Sequence, residues 1–380
     1  MGRLHPGLPD ACRDRLWAHV RSVGGVGVSV AARAEVVGSL LRPAYLKDAL
    51  ARHASGELDA AGTREMQDRA VRDAVALQEE CGIEVVTDGE MRRRAWSDPL
   101  TAGMRGFGRI DQAGLFSEGG AGTAMLPALT GTVTIAANLA LEEAAFAARQ
   151  ATRRVKPTLP SPSYAGELYI PGVSERAYGT REDYMAALLP LMVELVRELV
   201  EAGFDYIQLD CPRYSTLVMP EARDRVRRLG QMIADDNRLI DVFPEVTWGL
   251  HVCRGNHRST WYAEGGYDPI AERLFAELHV DRLFLEYDTP RAGTFEPLRF
   301  VAPDKTVVLG LLTTKAPELE SDEQVIARIE EASRHVPLER LALSPQCGFA
   351  STFPGNVIDE DAQRRKLQAV ARVAQAVWGG

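Results

Sequence analysis

The sequence predicts an α/β protein folded as a (β/α)8 barrel, and three observations carry that prediction. Short apolar runs, each ending in polar or glycine-containing text, recur about eight times along the 380 residues. Stretches with helical periodicity lie between most of them. No glycine-rich nucleotide loop follows the first run, as an open doubly wound sheet would advertise, so closure into a barrel is the expected arrangement.

In chain order, residues 1–33 precede the first run and form an expected N-terminal extension. Its amphipathic piece, ACRDRLWAHVRSV, is suited to pack on the barrel or cap its bottom. Residues 34–380 are expected to make the barrel domain. Its strand candidates are EVVGS, IEVVTDGE, TLPSPSY, DYIQLDCP, VTWGLHVC, RLFLEYD, TVVLGLLTTK and RLALSPQCG. The segment from 104 to 155 is longer than an ordinary connection and predicts a hairpin followed by a helix. REDYMAALLPLMVELVRELVEAG and DPIAERLFAELH read as helices, the first ending at Gly203, where a C-cap glycine is expected.

Composition bounds the function. With 46% hydrophobic and 26% charged residues the chain can bury a large core, and the formal net charge of −9 argues against a nucleic acid or an anionic membrane as partner. No apolar stretch reaches the roughly 18 residues needed to span a bilayer, and the N-terminus lacks the apolar core of a signal peptide. The 5 cysteines are odd in number and widely spaced, unlike a secreted disulfide framework, so a reducing cytoplasm is expected. Small-molecule chemistry is the default class, and the oligomeric state stays open.

The chemistry is concentrated at three strand ends. His251 and Cys253 are two apart on a presumed strand and point to one face. Glu286 is the charged residue ending the apolar run Leu283-Phe284-Leu285, and Cys347, followed by Gly348, closes another run. Taken singly, His-x-Cys is ordinarily a core pair and Glu286 a salt-bridge partner for Arg254 or Arg291. Taken together, one His, two Cys and one Glu are a full tetrahedral zinc set, gathered from distant strand ends as an active site is. Two thiolates and a carboxylate make a poor generator of hydroxide but a good platform for an incoming thiol, which points to thiol alkylation rather than hydrolysis.

These residues, with VGSLLRP, VTDGEMRR, QLDCP, HVCRGNHRSTW, EGGY, FLEYDTPRAGTFEPL, VVLGLLTTKAPELES and SPQCGFAST, resemble the cobalamin-independent methionine synthase family, in particular its single-barrel branch that includes the epoxyalkane:coenzyme M transferases. The likeness runs from about Ala34 to Gly379. It implies a barrel of the methionine synthase/uroporphyrinogen decarboxylase type, with a catalytic zinc on His251, Cys253, Glu286 and Cys347. The zinc activates a thiol such as homocysteine for attack on a methyl or alkyl donor, methyltetrahydrofolate for example. It further implies that Ser39 and Glu90 hold the amino acid and that Asp210 contacts its amino group, so Asp210 and Glu90 are the expected catalytic pair. Arg254, Asn256 and Arg258 are candidates for binding a carboxylate or sulfonate, and Asp88 is a further acid at a strand end.

The chain departs from the family pattern in four places. It has no room for the second barrel of the longer synthases. It reads Asp210-Cys211-Pro212 where they have Asp-Glu-Pro, and Leu311-Leu312-Thr313-Thr314 where they carry a proton-donating histidine. Tyr164 stands where a tryptophan is expected near the pterin. Lys315 is a possible replacement as proton donor or as ligand for an acidic substrate. The thiol half of the reaction is therefore the firmer expectation. An enzyme of the epoxyalkane:coenzyme M transferase or thioether-cleaving kind is the alternative, and a binding protein that has lost its donor site is the reading from a different class.

Overall fold

The computed structural model describes residues 31–112, 124–222 and 224–379. The valine- and leucine-rich runs form parallel strands whose residues are almost all buried, as strands covered on both faces must be. In chain order the strands are β1 (Val85–Val86), β2 (Met104–Gln112), β3 (Ala124–Ile135), β4 (Arg154–Val155), β5 (Thr158–Pro160), β6 (Tyr206–Asp210), β7 (Thr247–Val252), β8 (Arg282–Glu286), β9 (Thr306–Leu312) and β10 (Leu341–Pro345). Strands β5 to β10 make one parallel sheet in sequential order.

The circuit closes through shorter pieces. Ala34 bridges Leu343 of β10 and Glu35 bridges Val85 of β1, both parallel, and β1 pairs with β4. β4 and β5 are two halves of one segment: the Lys156 N–H donates back to Val86 O at 2.9 Å, while Pro157 O accepts from Gln208 N at 3.0 Å. Pro157 and Pro160 lack the N–H a continuous ladder requires, which splits this strand. It therefore begins four residues earlier than the run TLPSPSY suggests. Beyond Pro160, Ser161 caps a short helix, Pro162–Gly166, by accepting from Tyr164 N.

The connections follow the sequence pattern closely. Thr180 caps the helix Arg181–Glu201, which stops just before Gly203 at φ +94°. The second expected helix spans Asp268–Glu277. Between β1 and β4, β2 and β3 form an antiparallel hairpin and Leu139–Ala148 a helix. The amphipathic piece of the expected N-terminal extension lies outside the described residues. Among the described residues, no helix is long and apolar enough to cross a membrane.

Strand alternation sorts side chains between two cores. Val37, Val85, Tyr206, Phe284, Val308 and Ala342 cluster apart from the large core shared with the helices. These are the inward residues that fill the barrel. On the inward face of β8, Arg282, Phe284 and Glu286 follow one another at spacing two, as do Tyr206, Gln208 and Asp210 on β6. At the lower end, Glu35, fully buried, accepts from Lys156 Nζ at 3.2 Å, Tyr206 OH at 2.8 Å and Arg282 Nη2 at 2.5 Å. Burial pulls the Lys156 ammonium down to about 8 even with Glu35 beside it.

A second buried network fixes the ends of β5 and β6. Asp236, on the helix Arg225–Ile240, accepts from Ser163 N at 2.7 Å, Ser163 Oγ at 2.8 Å and Tyr214 OH at 2.8 Å. Ser163 Oγ also lies 3.1 Å from Cys211 Sγ. Burial pushes the Asp236 carboxyl up to about 7 and the Cys211 thiol up to about 12.

Two predictions follow from these networks. Glu35→Ala leaves two buried cations without a carboxylate and is expected to cost about 3–5 kcal/mol, read from urea denaturation; a loss within the scatter of the measurement would show that the triad does not hold the barrel together. Asp236 has a folded-state pKa raised from 3.8 to about 7, so its contribution is fully present at low pH and is lost as pH rises through that window. Asp236→Asn should reduce the decline in stability between these two values, and an unchanged slope would refute the shifted carboxyl.

Candidate active site and metal centre

The alternation that fills the barrel delivers four donor side chains to its carboxyl end. His251 lies on β7 with Cys253 just beyond it, Glu286 is the last residue of β8, and Cys347 is two residues past β10. Their ligand atoms all lie within 4.8 Å of one another. The Cys253 and Cys347 sulfurs are 3.5 Å apart. That is far too long for a disulfide and close to the ~3.8 Å expected between two thiolates each about 2.3 Å from a tetrahedral zinc.

The surroundings complete the picture of a metal centre. His251 is buried, and neither ring nitrogen has an oxygen or nitrogen partner among the described residues, its polar neighbour being the Cys347 sulfur. A buried imidazole left so is costly unless a metal supplies the missing partner. Glu286 Oε1 accepts from Arg254 N at 2.8 Å and Oε2 from Arg291 Nη2 at 3.3 Å, so Arg291 rather than the Arg254 guanidinium is its ion-pair partner. Gly255 N donates to Cys253 Sγ at 3.3 Å. The Cys253 thiol, with His251, holds Cys347 well below its ordinary pKa against the effect of burial, and Cys253 itself is pushed up. These directions favour deprotonation at Cys347, the form in which a thiol ligates a metal. The residues present fit zinc.

Beside this cluster sits an acidic corner. Asp88 Oδ1 accepts from Glu90 N at 3.0 Å, and Glu90 adopts φ +56°, a left-handed backbone that follows Gly89 at φ +70°. Asp88 Oδ2 and Glu90 Oε2 are buried and have no hydrogen-bond partner among the described residues. Burial, helped by Asp210 and Asp88 and opposed by Arg93, pushes Glu90 up to about 8. Burial likewise raises Asp210 to about 6, although His251 and the Gln208 amide at 2.9 Å pull it down. Ser39 is seated against the Cys347 loop: its carbonyl accepts from Phe349 N at 2.7 Å and its Oγ from Ala350 N at 3.3 Å. A Cβ on Gly348 would lie 2.0 Å from Ser39 Oγ, so the glycine is what admits this contact. The corner can hold a cationic group within reach of the sulfur pair.

The remaining candidates are distributed differently. Arg254 is fully buried, with Nη1 on Gly265 O at 2.7 Å and its guanidinium 4.4 Å from the Tyr267 ring centre, which makes it a brace for the loop after β7. Asn256 donates to Gly348 O at 2.6 Å and Ser351 Oγ at 3.1 Å, tying the Cys253 loop to the Cys347 loop. Arg258, at φ +48°, is exposed. Cys211 belongs to the Asp236 network rather than to the metal cluster. Thr314 is buried on Gln346 and Gly348 O.

Two residues were not singled out by the sequence reading. Trp96 packs on Tyr164 with ring centroids 4.6 Å apart. Buried Arg93 bonds Glu143 and Thr158 and lies 3.6 Å from Glu90. The run Met91-Arg92-Arg93-Arg94 after Glu90 was the available signal for Arg93. For Trp96 there was none, because its partner is 68 positions away.

Residues 33–374 match the family described as "Cobalamin-independent synthase, Catalytic domain". The chain is 38% identical over 365 residues to the uncharacterized protein YxjH of Bacillus subtilis, covering 91% of this chain and 94% of that one. It is 24% identical to a methionine synthase of Sulfolobus acidocaldarius, covering 83% and 84% of the two chains. Among solved structures, a Listeria monocytogenes chain provisionally named a vitamin-B12-independent methionine synthase superposes with TM-score 0.71 at 30% identity, over 92% of this chain and 98% of that one. A B12-independent methionine synthase from Shewanella gives TM-score 0.72 at 21% identity, over 91% and 97%, and so bears on the fold alone. With its closed barrel, its four clustered donors and a family match over most of its length, the chain belongs to the cobalamin-independent synthase catalytic-domain family, a methyltransferase family.

Proposed function

We propose that the chain is a zinc-dependent S-methyltransferase that takes a small amino-acid thiol of the homocysteine type and alkylates its sulfur from a methyl donor such as methyltetrahydrofolate. The observation that carries this reading is the buried His251 ring, without an oxygen or nitrogen partner among the described residues and gathered with two thiols and a carboxylate. His251, Cys253, Glu286 and Cys347 are the proposed zinc ligands. Zinc bound there supplies a site at which a substrate thiol is held deprotonated near neutral pH.

The chain's own side chains do the rest. Arg254 N and Arg291 fix Glu286 in place. Cys253 is the partly exposed member of the set, so the incoming sulfur approaches on its side. Asp210 and Glu90, with Asp88, receive the substrate ammonium, whose charge draws both raised carboxyls to the ionised form. Ser39, fixed by Phe349 and Ala350, borders the same space. Support also comes from a relative: a Rhodococcus jostii protein, of which this chain spans 43%, is a 5-methyltetrahydropteroyltriglutamate–homocysteine methyltransferase. The electrophile is a methyl or alkyl group at saturated carbon. The replacement of the donor-side histidine by Thr313 and Thr314 is the observation that favours a second reading, in which the alkyl donor is not a folate.

Three outcomes test the proposal. Zinc-edge X-ray absorption of the purified protein should gain one sulfur ligand when homocysteine is added; an unchanged shell would remove the amino-acid thiol from the reading. Cys347→Ser should lose both bound zinc and turnover, and a metal-free variant that still transfers methyl groups would sink the metal role. Gly348→Ala pushes Ser39 aside and should raise KM for the thiol while leaving KM for the donor largely unchanged.

A further inference from the structure

Lys315 lies past the end of β9 and is partly buried. Its Nζ donates to Gly255 O and to Asn256 Oδ1, each at 2.9 Å. Both acceptors are neutral. Lys156, Lys305 and Lys366 each form an ion pair with a carboxylate, whereas Lys315 has no such partner among the described residues. An ammonium carries three donors, so one N–H is left over, and no carboxylate among the described residues lies within ion-pair distance of the charge. Asn256 is itself held by Gly348 O and Ser351 Oγ, so Lys315 is anchored to the loops that carry Cys253 and Cys347. Its charge is felt at Cys253, Cys347 and Glu286 alike.

We propose that Lys315 is the specificity residue that reads the acidic group of the thiol substrate: a molecule whose sulfur reaches the Cys253–Cys347 edge presents its carboxylate or sulfonate to the Lys315 ammonium. This deepens the thiol-transfer reading above and rests on it. The polarity of the site supports the assignment. Asp88, Glu90 and Asp210 repel an acid and attract an amine, so a thiol carrying both charges spans the site with its ammonium on the carboxylates and its acid on Lys315. A charge-assisted bond of this kind is expected to be worth on the order of tenfold or more in affinity.

The test is calorimetric binding to the zinc-loaded full-length protein, comparing wild type with Lys315→Met, which keeps the aliphatic stem, and Lys315→Arg, which keeps the charge. The probes are homocysteine, 3-aminopropane-1-thiol, which lacks only the carboxylate, and 2-mercaptoethanesulfonate paired with ethanethiol. The expected result is a wild-type preference of tenfold or more for homocysteine over the aminothiol, erased in Lys315→Met and largely kept in Lys315→Arg. Lysine-dependent binding of the sulfonate without binding of homocysteine would support the assignment while overturning the amino-acid substrate proposed above. A preference that survives Lys315→Met, or a wild type that does not distinguish acids from their neutral analogues, overturns the assignment even where homocysteine binds. Absence of any thiol binding overturns both.

Discussion

The barrel closes around Glu35. The Ala34–Glu35 backbone joins β10 to β1, Glu35 N donating to Leu343 O and Ala34 O accepting from Glu84 N, and the Glu35 carboxylate gathers Lys156, Tyr206 and Arg282 from three further strands in a space buried from solvent. A buried carboxylate with two cations is stable only while all three are in register. That register decides which residues of each strand face inward, and at spacing two along β6 and β8 the same faces that begin at Tyr206 and Arg282 end at Asp210 and Glu286. The site at the carboxyl end is thus aligned by an ion group at the opposite end.

The site divides its charges. One side collects donors that suit a soft metal. The other collects carboxylates, of which burial pushes Glu90 and Asp210 above the usual range, with oxygens of Asp88 and Glu90 lacking hydrogen-bond partners among the described residues. Both halves are energetically incomplete, and incompleteness of this kind is what a binding site stores for its ligands. The bracing groups around them find their partners within the protein: Asn256 on Gly348 and Ser351, Asp236 on Ser163 and Tyr214.

The strand runs from DYIQLDCP to RLALSPQCG were legible because each is apolar, short and bounded, and the hairpin and helix between β1 and β4 were legible from segment length. The first and third strands were located, by EVVGS and TLPSPSY, but not bounded: the first pairs at Ala34 and Glu35, at the start of its run, and Pro157 divides the third, whose pairing begins earlier, at Arg154. The roles of Arg254 and Arg291 beside Glu286 could not be told apart from spacing, because one acts through its backbone and the other through its guanidinium.

By itself the sequence determined the barrel class and the family, and it pointed to the four side chains that the fold gathers at one end, because residue chemistry and spacing two along a strand are local properties that survive without coordinates. Only the tertiary structure decided that Cys211 bonds a serine on a neighbouring strand end, that Arg254 turns to an aromatic ring, that Ser39 fits against Gly348 and that Lys315 reaches the loop beyond Cys253. Those contacts join residues 13 to 309 positions apart. Their geometry is set by how the barrel closes rather than by any neighbour in the chain.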